Sequence, residues 1–452
     1  MSLPASLRTQ ARATLKPALK RFKHLRNTVQ HMARFVRVTS REAALACLAH
    51  LRRPRLKHVT FVGVTGSCGK TSTTQLIGAV LSTAGKTVQV SGLNGYRQAV
   101  ETVLSLEPTT RYCAHEMSGS WPGRLAPQVR LLRPAIGVVT VIGTDHYRSF
   151  RSKEATAQEK GQLVELLPAH ATAILNADDP LVLAMRDRTR ARVLTVGRSA
   201  DCDLRAVEVS GAWPERLRLT VIHDRQSLRL NTQFVGEWWT TSVLAAVACG
   251  VVCGLDLKAC AEAIENFQPD FGRCSVHPVP GGATYIFERK APLGTIANAI
   301  ALVAAARAPR KTIVFGTISD YPGARSPRYR KIARAALDVA DRVIFTGPGS
   351  GHVTKLAQGP FRERLFSFET TYQACEFLKA ETVPGELVLL KGSIGADHLE
   401  RIVLSQLDRI VCWRNGCGKE HACPECKNYR LPFPPAPYSV THPGLEVSET
   451  LS

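Results

Sequence analysis

The chain has 452 residues, 44% hydrophobic and 21% charged, which is enough for two or three globular domains with large cores. No apolar run approaches the ~20 residues of a membrane-spanning helix, and the N-terminus lacks the short apolar core of a secretory signal. These patterns predict a cytoplasmic protein. The net charge of +22 is concentrated at the start, where residues 1–57 carry 14 Lys or Arg against a single acidic residue, Glu42.

The basic segment 1–57 contains one amphipathic stretch. From Pro17 to Val38, apolar residues recur at helical spacing with basic residues between them, which predicts a basic amphipathic helix. Such a helix can lie on an anionic membrane surface, dock on a protein partner, pack with a solvated basic face, or act as an organelle-targeting peptide. Nucleic acid is not expected as a partner, because the segment has little aromatic interleaving and no recognisable binding module.

A glycine-rich turn lies between an apolar run, Val59–Val64, and a helix-like segment that begins at Thr71. Glycines let backbone N–H groups converge on anionic oxygens, and the N-terminus of the following helix adds partial positive charge. Lys70 is positioned to neutralise outer phosphates, and the Thr71 hydroxyl to contact Mg²⁺. Val64 stands where the common phosphate-loop formula has glycine, so a chance Gly-Lys-Thr is the alternative. The predicted nucleotide-binding residues are Thr65, Gly66, Ser67, Cys68, Gly69, Lys70, Thr71 and Ser72.

Strand-like and helix-like segments alternate along the body of the chain, which predicts an α/β protein with a doubly wound parallel sheet followed by a second, Rossmann-like α/β unit. The Pro269–Gly272 turn is the expected hinge between the two units. The predicted divisions are a basic helical segment at 1–57, an ATP-binding domain at 58–270, an α/β domain at 271–411, a cysteine knuckle at 412–430 and a Pro-rich tail at 431–452.

Polar residues follow several predicted strands of the first unit, where ligands of such sheets bind. Glu116 ends one strand, Asp145–His146 follow the next, and Lys160 lies on the helix after them. Asn176–Pro180 closes a further strand. Each residue alone is a weak signal, since a strand-end carboxylate is usually solvated, but their order and spacing are specific.

This order resembles the Mur ligase family, the ATP-dependent amide-forming ligases of peptidoglycan precursors, together with folylpolyglutamate and cyanophycin synthetases. The resemblance covers about residues 58–405, and the third domain is most similar to that of the member that adds D-alanyl-D-alanine. The matching segments are Val-Thr-Gly-Ser-Cys-Gly-Lys-Thr-Ser at 64–72, Glu116, Thr-Val-Ile-Gly-Thr-Asp-His at 140–146, Glu-Lys-Gly at 159–161, Leu-Asn-Ala-Asp-Asp-Pro at 175–180, Phe-Gly-Arg at 271–273 and Leu-Lys-Gly-Ser at 390–393.

The resemblance implies a role for each matched residue. Lys70 contacts the β- and γ-phosphates of ATP, and Arg273 reaches the γ-phosphate from the hinge. One Mg²⁺ is held by Thr71 and Glu116, and a second by His146 with a carbamylated Lys160. Asn176, and Glu288 at the place of a family Asp, complete the expected nucleotide contacts.

The implied reaction begins when a substrate carboxylate attacks the γ-phosphate of ATP. An amine then attacks the acyl phosphate, which yields an amide, ADP and phosphate while the second unit closes over the site.

Two departures from the family pattern bear on substrate and base recognition. The segment Gly236–Ser242 lacks the His and the two Asn that help to hold the base in the family, which leaves Trp238 or Trp239 to stack on a purine. Residues 1–57 are too few and too basic for the family's UDP-sugar-binding domain. The substrate is therefore expected to differ from the ordinary nucleotide-linked precursor, or to be delivered by a partner.

Two alternatives to a free ligase remain at this point. One is a non-catalytic or regulatory nucleotide-binding subunit of a cell-wall or polyamide-synthesis complex, which the altered base segment favours. The other is a polymerising ligase held peripherally at a membrane by the basic helix. The joint presence of Lys70, Glu116, His146 and Lys160 favours chemistry.

Most of the thirteen cysteines lie in strand-like or helix-like stretches and are expected to be reduced core thiols. Cys412, Cys417, Cys423 and Cys426 differ, because they are spaced C-x₄-C-x₅-C-x₂-C with His421 inside the run. This pattern predicts a structural Zn²⁺ site, against the alternative of free surface thiols. The lipid II amidating ligase subunit, which resembles this chain in lacking the UDP-binding domain, carries a comparable ribbon inside its ATPase domain.

Overall fold

The computed structural model describes residues 40–92, 94–419 and 421–431. The predicted basic helix at 17–38 and the Pro-rich tail beyond Leu431 lie outside the described residues. A helix over residues 40–52 (α1) opens the described part of the chain. Within the described residues, no helix is both long and apolar enough to cross a membrane.

The first unit is a nine-stranded sheet in the order β2-β3-β1-β4-β5-β6-β7-β8-β9. Strands β2 to β7 pair in parallel, and β7, β8 and β9 form an antiparallel meander. The strands are β1 (Thr60–Thr65), β2 (Thr87–Val90), β3 (Tyr112–Glu116), β4 (Ile136–Val139), β5 (Thr172–Asn176), β6 (Arg192–Gly197), β7 (Leu204–Ser210), β8 (Arg218–His223) and β9 (Gln226–Asn231).

Helices cover both faces of this sheet. The α-helices are α2 (Lys70–Ser82), α3 (Tyr96–Ser105), α4 (Leu125–Leu132), α5 (Tyr147–Phe150), α6 (Lys153–Glu165), α7 (Pro180–Leu183), α8 (Thr240–Val252) and α9 (Leu257–Glu265). One core lies under α2, α8 and α9, and another lies under α3, α4 and α6. Burial on both faces explains why β1 is a near-continuous apolar run and why all five residues of β3 are buried, with no alternation in either strand.

The second unit is a six-stranded sheet in the order β10-β11-β15-β12-β13-β14, in which only the β10–β11 pair is antiparallel. Its strands are β10 (Arg273–Pro278), β11 (Thr284–Glu288), β12 (Lys311–Phe315), β13 (Arg342–Thr346), β14 (Leu365–Phe368) and β15 (Leu387–Lys391). Its helices are α10 (Ile296–Ala305), α11 (Arg325–Leu337), α12 (Thr354–Ala357), α13 (Thr371–Glu381) and α14 (Glu400–Leu407). The predicted α/β class with mainly parallel sheets is confirmed.

Three strands have only weak signals in their local sequence: β7, β10 and β14. Strand β7 alternates buried and partly exposed residues, so it has no continuous apolar run. Strand β14 is only four residues long, and β10 is an edge strand that ends in Pro278. Each is stabilised by its sheet neighbours more than by its own composition.

Two side-chain caps fix the helices that carry site residues. Ser152 caps α6, its Oγ accepting a hydrogen bond from the Ala155 N–H at 3.0 Å. Asp179 caps α7 and also accepts from the Ile142 N–H at 2.6 Å, which ties the end of β5 to the loop after β4. The caps therefore fix the chain on both sides of the loop 140–152.

Candidate active site

One cavity of about 780 Å³ lies between the carboxyl ends of the first sheet and the second unit, and its volume is within the range of ligand pockets. Its first wall is built from the turn after β1, the end of β3 and the loop after β4. Strands β10, β11 and β15 with helix α10 of the second unit form the opposite wall. Residues from both units therefore face one ligand.

The glycine-rich turn is packed tightly on the end of β4. Gly66 has a φ of +139°, and a Cβ placed there would lie 2.1 Å from Thr140 Oγ1. That hydroxyl is buried and donates to the carbonyl of Cys68 at 2.6 Å. The Ser67 N–H donates to the Val141 carbonyl at 2.7 Å. Only glycine fits this position, and the contacts fix the course of the turn.

Lys70 closes the turn at the first residue of α2. Its Nζ donates to the carbonyls of Gly66 at 2.7 Å and Ser67 at 3.2 Å, so the ammonium lies over the turn itself. The turn, the ammonium and the N-terminus of α2 together form an anion site that faces the cavity.

A buried carboxylate lies next to this anion site. Glu116 accepts hydrogen bonds from Thr71 Oγ1 at 2.9 Å, from the Gly92 N–H at 2.8 Å and from Asn94 Nδ2 at 2.8 Å. Burial alone raises the pKa of Glu116, but the Lys70 ammonium and these hydrogen bonds outweigh it and leave the pKa below its ordinary value. The site therefore holds an ionised carboxylate beside a hydroxyl, which is the oxygen-donor chemistry that Mg²⁺ prefers.

The second group of predicted residues gathers after β4. Lys160 is fully buried, lies 3.7 Å from Asp145 Oδ2 and donates to the Gly119 carbonyl at 3.2 Å. Burial lowers the pKa of Lys160 to about 8, with a contribution from Lys70. His146 has a φ of +52° and lines the cavity, and burial lowers its pKa as well. Both nitrogen bases are therefore neutral in a larger fraction than usual near neutral pH.

The second unit brings further cations to the cavity. Arg273 is largely buried at the start of β10, and its Nε has no hydrogen-bond partner. Lys391, at the end of β15, donates to the Lys290 carbonyl at 3.0 Å. Burial lowers the pKa of Lys290, and the positive charges of Arg273 and Lys70 lower it further. Glu288 lines the same wall and pairs with Arg273 in the β10–β11 register.

Most of the predicted nucleotide-binding residues line the cavity, and three do not. Thr65, Gly66 and Asn176 are not among the lining residues. Asn176 is buried at the end of β5, where its Oδ1 accepts from the Asp178 N–H at 3.2 Å. This local hydrogen bond supports the loop after β5, and the nucleotide contact of Asn176 stays a prediction.

Sequence reasoning missed several lining residues, above all Asn94, Lys290 and Lys391. Asn94 follows a short strand and has no motif of its own. Lys391 lies in the matching segment Leu-Lys-Gly-Ser at the end of β15, and Lys290 lies two residues after the end of β11 at Glu288. Their position at strand ends is therefore the sequence signal that could have identified both as lining residues.

Two tryptophans occupy the wall where the family's base-binding segment is altered. Trp238 and Trp239 both line the cavity, with ring centroids 6.3 Å apart. Trp239 packs on Phe234 at 4.9 Å, and its buried Nε1 has no hydrogen-bond partner. An unpaired buried donor at a cavity wall is a candidate contact for a ligand acceptor.

The predicted four-thiolate zinc cluster is not confirmed. Among the described residues, no three of Cys412, Cys417, Cys423 and Cys426 bring their sulfurs within 4.8 Å of one another. The group that meets this distance joins Cys423 to His398 and Glu400, which precede the cysteine run. The four-cysteine site therefore stays a prediction, and Cys423 is the member of it that lies beside other metal-ligating side chains.

Comparisons with known proteins agree with this geometry. Residues 64–250 match the sequence model of the Mur ligase middle domain. The UDP-N-acetylmuramoyl-tripeptide–D-alanyl-D-alanine ligase of Mycobacterium tuberculosis (strain CDC 1551 / Oshkosh) is 33% identical over 384 residues, 78% of this chain and 74% of that protein. The UDP-N-acetylmuramoylalanine–D-glutamate ligase of Symbiobacterium thermophilum is 28% identical over 340 residues, 73% of this chain and 69% of that protein.

Solved structures share the fold. MurF from Acinetobacter baumannii superposes with a TM-score of 0.73 at 19% identity, over 81% of each chain. MurF ligase from Thermotoga maritima in complex with ADP gives a TM-score of 0.68 at 17% identity, over 81% of this chain and 83% of the other. The structures show the fold, and the sequence relatives show that the chain is an ATP-dependent ligase that joins an acid to an amine in an amide bond and that it belongs to the Mur ligase family.

Proposed function

We propose that this chain forms an amide bond through an acyl phosphate generated in the cavity between its two units. The observation that supports this proposal is that one cavity contains the anion site at Lys70, the Thr71–Glu116 pair and three cations of the second unit, Arg273, Lys290 and Lys391. A triphosphate is the anion that matches such a spread of positive charge, and two walls from different units allow closure around it.

The polyphosphate of ATP would lie along the turn 66–71. The backbone N–H groups of the turn and the N-terminus of α2 bind the inner phosphates, and Lys70 moves from the loop carbonyls to the outer ones. Arg273 and Lys391 approach from the second unit and neutralise charge that develops when the γ-phosphoryl group is transferred. The substrate carboxylate attacks that group, and the incoming amine then displaces phosphate from the acyl carbon.

Thr71 and Glu116 fit a Mg²⁺ ion, because a hydroxyl and an ionised carboxylate stand 2.9 Å apart at the end of the turn. Bound there, the ion would neutralise phosphate charge and orient the phosphoryl group for in-line attack. We also place His146 and a carbamylated Lys160 at a second Mg²⁺. The lowered pKa of Lys160, about 8, supplies the neutral amine that reaction with CO₂ requires.

The substrates are proposed by class. The relatives' names specify a UDP-linked muramoyl tripeptide and D-alanyl-D-alanine, so we propose a peptide carboxylate and a dipeptide amine. Arg124 and the exposed Trp121 line the cavity away from the second unit and offer a cation and an apolar ring to a peptide. Trp238 and Trp239 replace the family's polar base contacts by stacking, with Trp239 Nε1 as a donor.

We further propose that 58–270 and 271–411 act as the two closing units about the turn at Asp270, where the Arg273 N–H donates to the Asp270 carbonyl at 2.9 Å. The basic segment 1–57 is proposed as a contact with an anionic membrane or a protein partner. Flotation on anionic liposomes, compared between the full chain and a chain without residues 1–57, tests the membrane contact. Equal flotation of the two would contradict it.

The test of the proposed function is ATP turnover with D-alanyl-D-alanine and muramoyl-peptide acceptors, in wild type and in Lys70→Ala. The matched control is Lys86→Ala, which removes a surface lysine that pairs with Glu107, neither of which lines the cavity. We expect Lys70→Ala to lose ATP binding by calorimetry and phosphate release, and Lys86→Ala to retain both. Undiminished turnover in Lys70→Ala contradicts the proposed site.

The carbamate is tested separately with ¹³C-labelled bicarbonate. A carbamate signal that is present in wild type and absent in Lys160→Met supports the second metal site. Full activity of Lys160→Met overturns it and leaves the site at Lys70 standing.

A further inference from the structure

Four side chains from two separate stretches meet where the C-terminal segment crosses α14. His398 Nδ1 lies 2.8 Å from Glu400 Oε1 and 3.5 Å from Cys423 Sγ. On the other edge of the ring, His398 Nε2 lies 2.9 Å from Cys417 Sγ. One nitrogen, one carboxylate oxygen and one sulfur therefore converge on a single point, with a second sulfur behind the imidazole.

The convergence leaves a buried group unpaired. His398 and Glu400 are 2% and 0% exposed, and Glu400 Oε2 has no hydrogen-bond partner. The Cys423 N–H donates to the other carboxylate oxygen at 3.1 Å, so the backbone of the C-terminal segment is itself held at this point. A buried carboxylate oxygen without a donor is costly unless a cation completes it.

We propose that His398 Nδ1, Glu400 and Cys423 Sγ bind one Zn²⁺ ion, with solvent in the fourth position. Imidazole, carboxylate and thiolate are all zinc ligands, and the 3.5 Å between nitrogen and sulfur suits two ligands of one tetrahedral ion at about 2.0 and 2.3 Å. Mg²⁺ and Ca²⁺ do not fit, because they take oxygen ligands.

Cys417 has a different role in this site. An imidazole offers one nitrogen to a given ion, and a ligating histidine usually donates its other N–H to an acceptor. Cys417 Sγ lies at that second nitrogen, so it orients the ring of His398 without touching the metal.

Cys412 and Cys426 are outside the set. Cys412 is held through its carbonyl, which accepts from Arg401 at 3.3 Å, and Cys426 forms a backbone turn with Cys423. The proposed ion therefore links the C-terminal segment to the second unit: Cys423 comes from the segment, and His398 and Glu400 come from the second unit.

The first experiment needs no variant. The purified full-length chain is loaded with zinc alone, dialysed and examined by metal analysis and by X-ray absorption at the zinc edge. We expect about one zinc per chain, with one sulfur at about 2.3 Å and the remaining ligands N or O at about 2.0–2.1 Å. No zinc above background, or two or more sulfur neighbours per ion, overturns the proposal.

The second experiment uses matched cysteine variants. We expect Cys423→Ser to lower zinc affinity by at least ~10-fold. Mutating a residue that only orients a metal ligand typically lowers affinity by that factor, and loss of a ligand should lower it at least as much. Cys412→Ser and Cys426→Ser should retain wild-type affinity. His398→Asn should also lose zinc, and asparagine suits the backbone there because His398 has a φ of +49° and Asn tolerates left-handed geometry. Equal losses in Cys412→Ser and Cys423→Ser refute the assignment.

Discussion

Replacing Gly66 by alanine tests how far catalysis depends on the exact course of the phosphate turn. The new Cβ would stand 2.1 Å from Thr140 Oγ1, whereas real Cβ contacts essentially never fall below 3.0 Å. The turn or the hydroxyl must therefore shift by about 0.9 Å. Thr140 cannot rotate away freely, because its Oγ1 donates to the Cys68 carbonyl at 2.6 Å. The turn itself is expected to move.

A displacement of ~1 Å at a reacting group typically costs ~10²-fold in rate, or about 2.7 kcal/mol of transition-state stabilisation. We therefore expect ATP turnover of Gly66→Ala to fall about 100-fold. The φ of +139° adds backbone strain of ~1–3 kcal/mol, which should lower the melting temperature. Steady-state phosphate release and thermal unfolding with and without ATP measure the two effects.

Gly254→Ala is the matched control. Gly254 also has a positive φ, +85°, but a Cβ there meets nothing within 4 Å and the residue does not line the cavity. Its melting temperature should fall by a comparable amount while turnover per folded molecule is unchanged. Turnover of Gly66→Ala within about threefold of Gly254→Ala would refute the argument that the turn positions the phosphates.

Three further predictions follow from buried polar groups. Glu386→Ala should destabilise the chain by ~3–5 kcal/mol in thermal unfolding, because the fully buried Glu386 pairs with the guanidinium groups of Arg310 and Arg342. The control Glu376→Ala removes a more exposed pair with Lys379 and should cost under ~1 kcal/mol. The pKa of Lys160 is about 8 in the folded chain and ~10.4 in the unfolded chain, so the unfolded chain binds more protons between these two values. The free energy of unfolding should therefore rise by ~3 kcal/mol as the pH rises through this range. In CO₂-free buffer Lys160→Met should lack this rise, and the same pH dependence in wild type and Lys160→Met would contradict the prediction. Asn94→Ala should raise the Mg²⁺ concentration for half-maximal turnover ~10–100-fold, since Asn94 orients Glu116, and an unchanged Mg²⁺ dependence argues against a metal there.

The phosphate turn and the fold class could be predicted from sequence because their causes are local. A glycine with left-handed backbone at Gly69, an apolar strand before it and a helix from Lys70 are set by residues adjacent in the chain. The strand-end rule then places Glu116 and His146 near that turn, since parallel strands share one carboxyl edge. The structure brings these residues to one cavity or its wall.

Long-range packing decided the rest. The neighbours of Cys423 are one example: cysteine spacing shows which thiols are near in sequence, but not that His398, in a left-handed turn, lies beside Cys423. Likewise, Lys391 shares a cavity with the phosphate turn only because the second sheet packs against the first unit. Sequence by itself determined the elements and their chemistry, and the tertiary structure determined which of their side chains share a site, because partners far apart in the chain are chosen by packing.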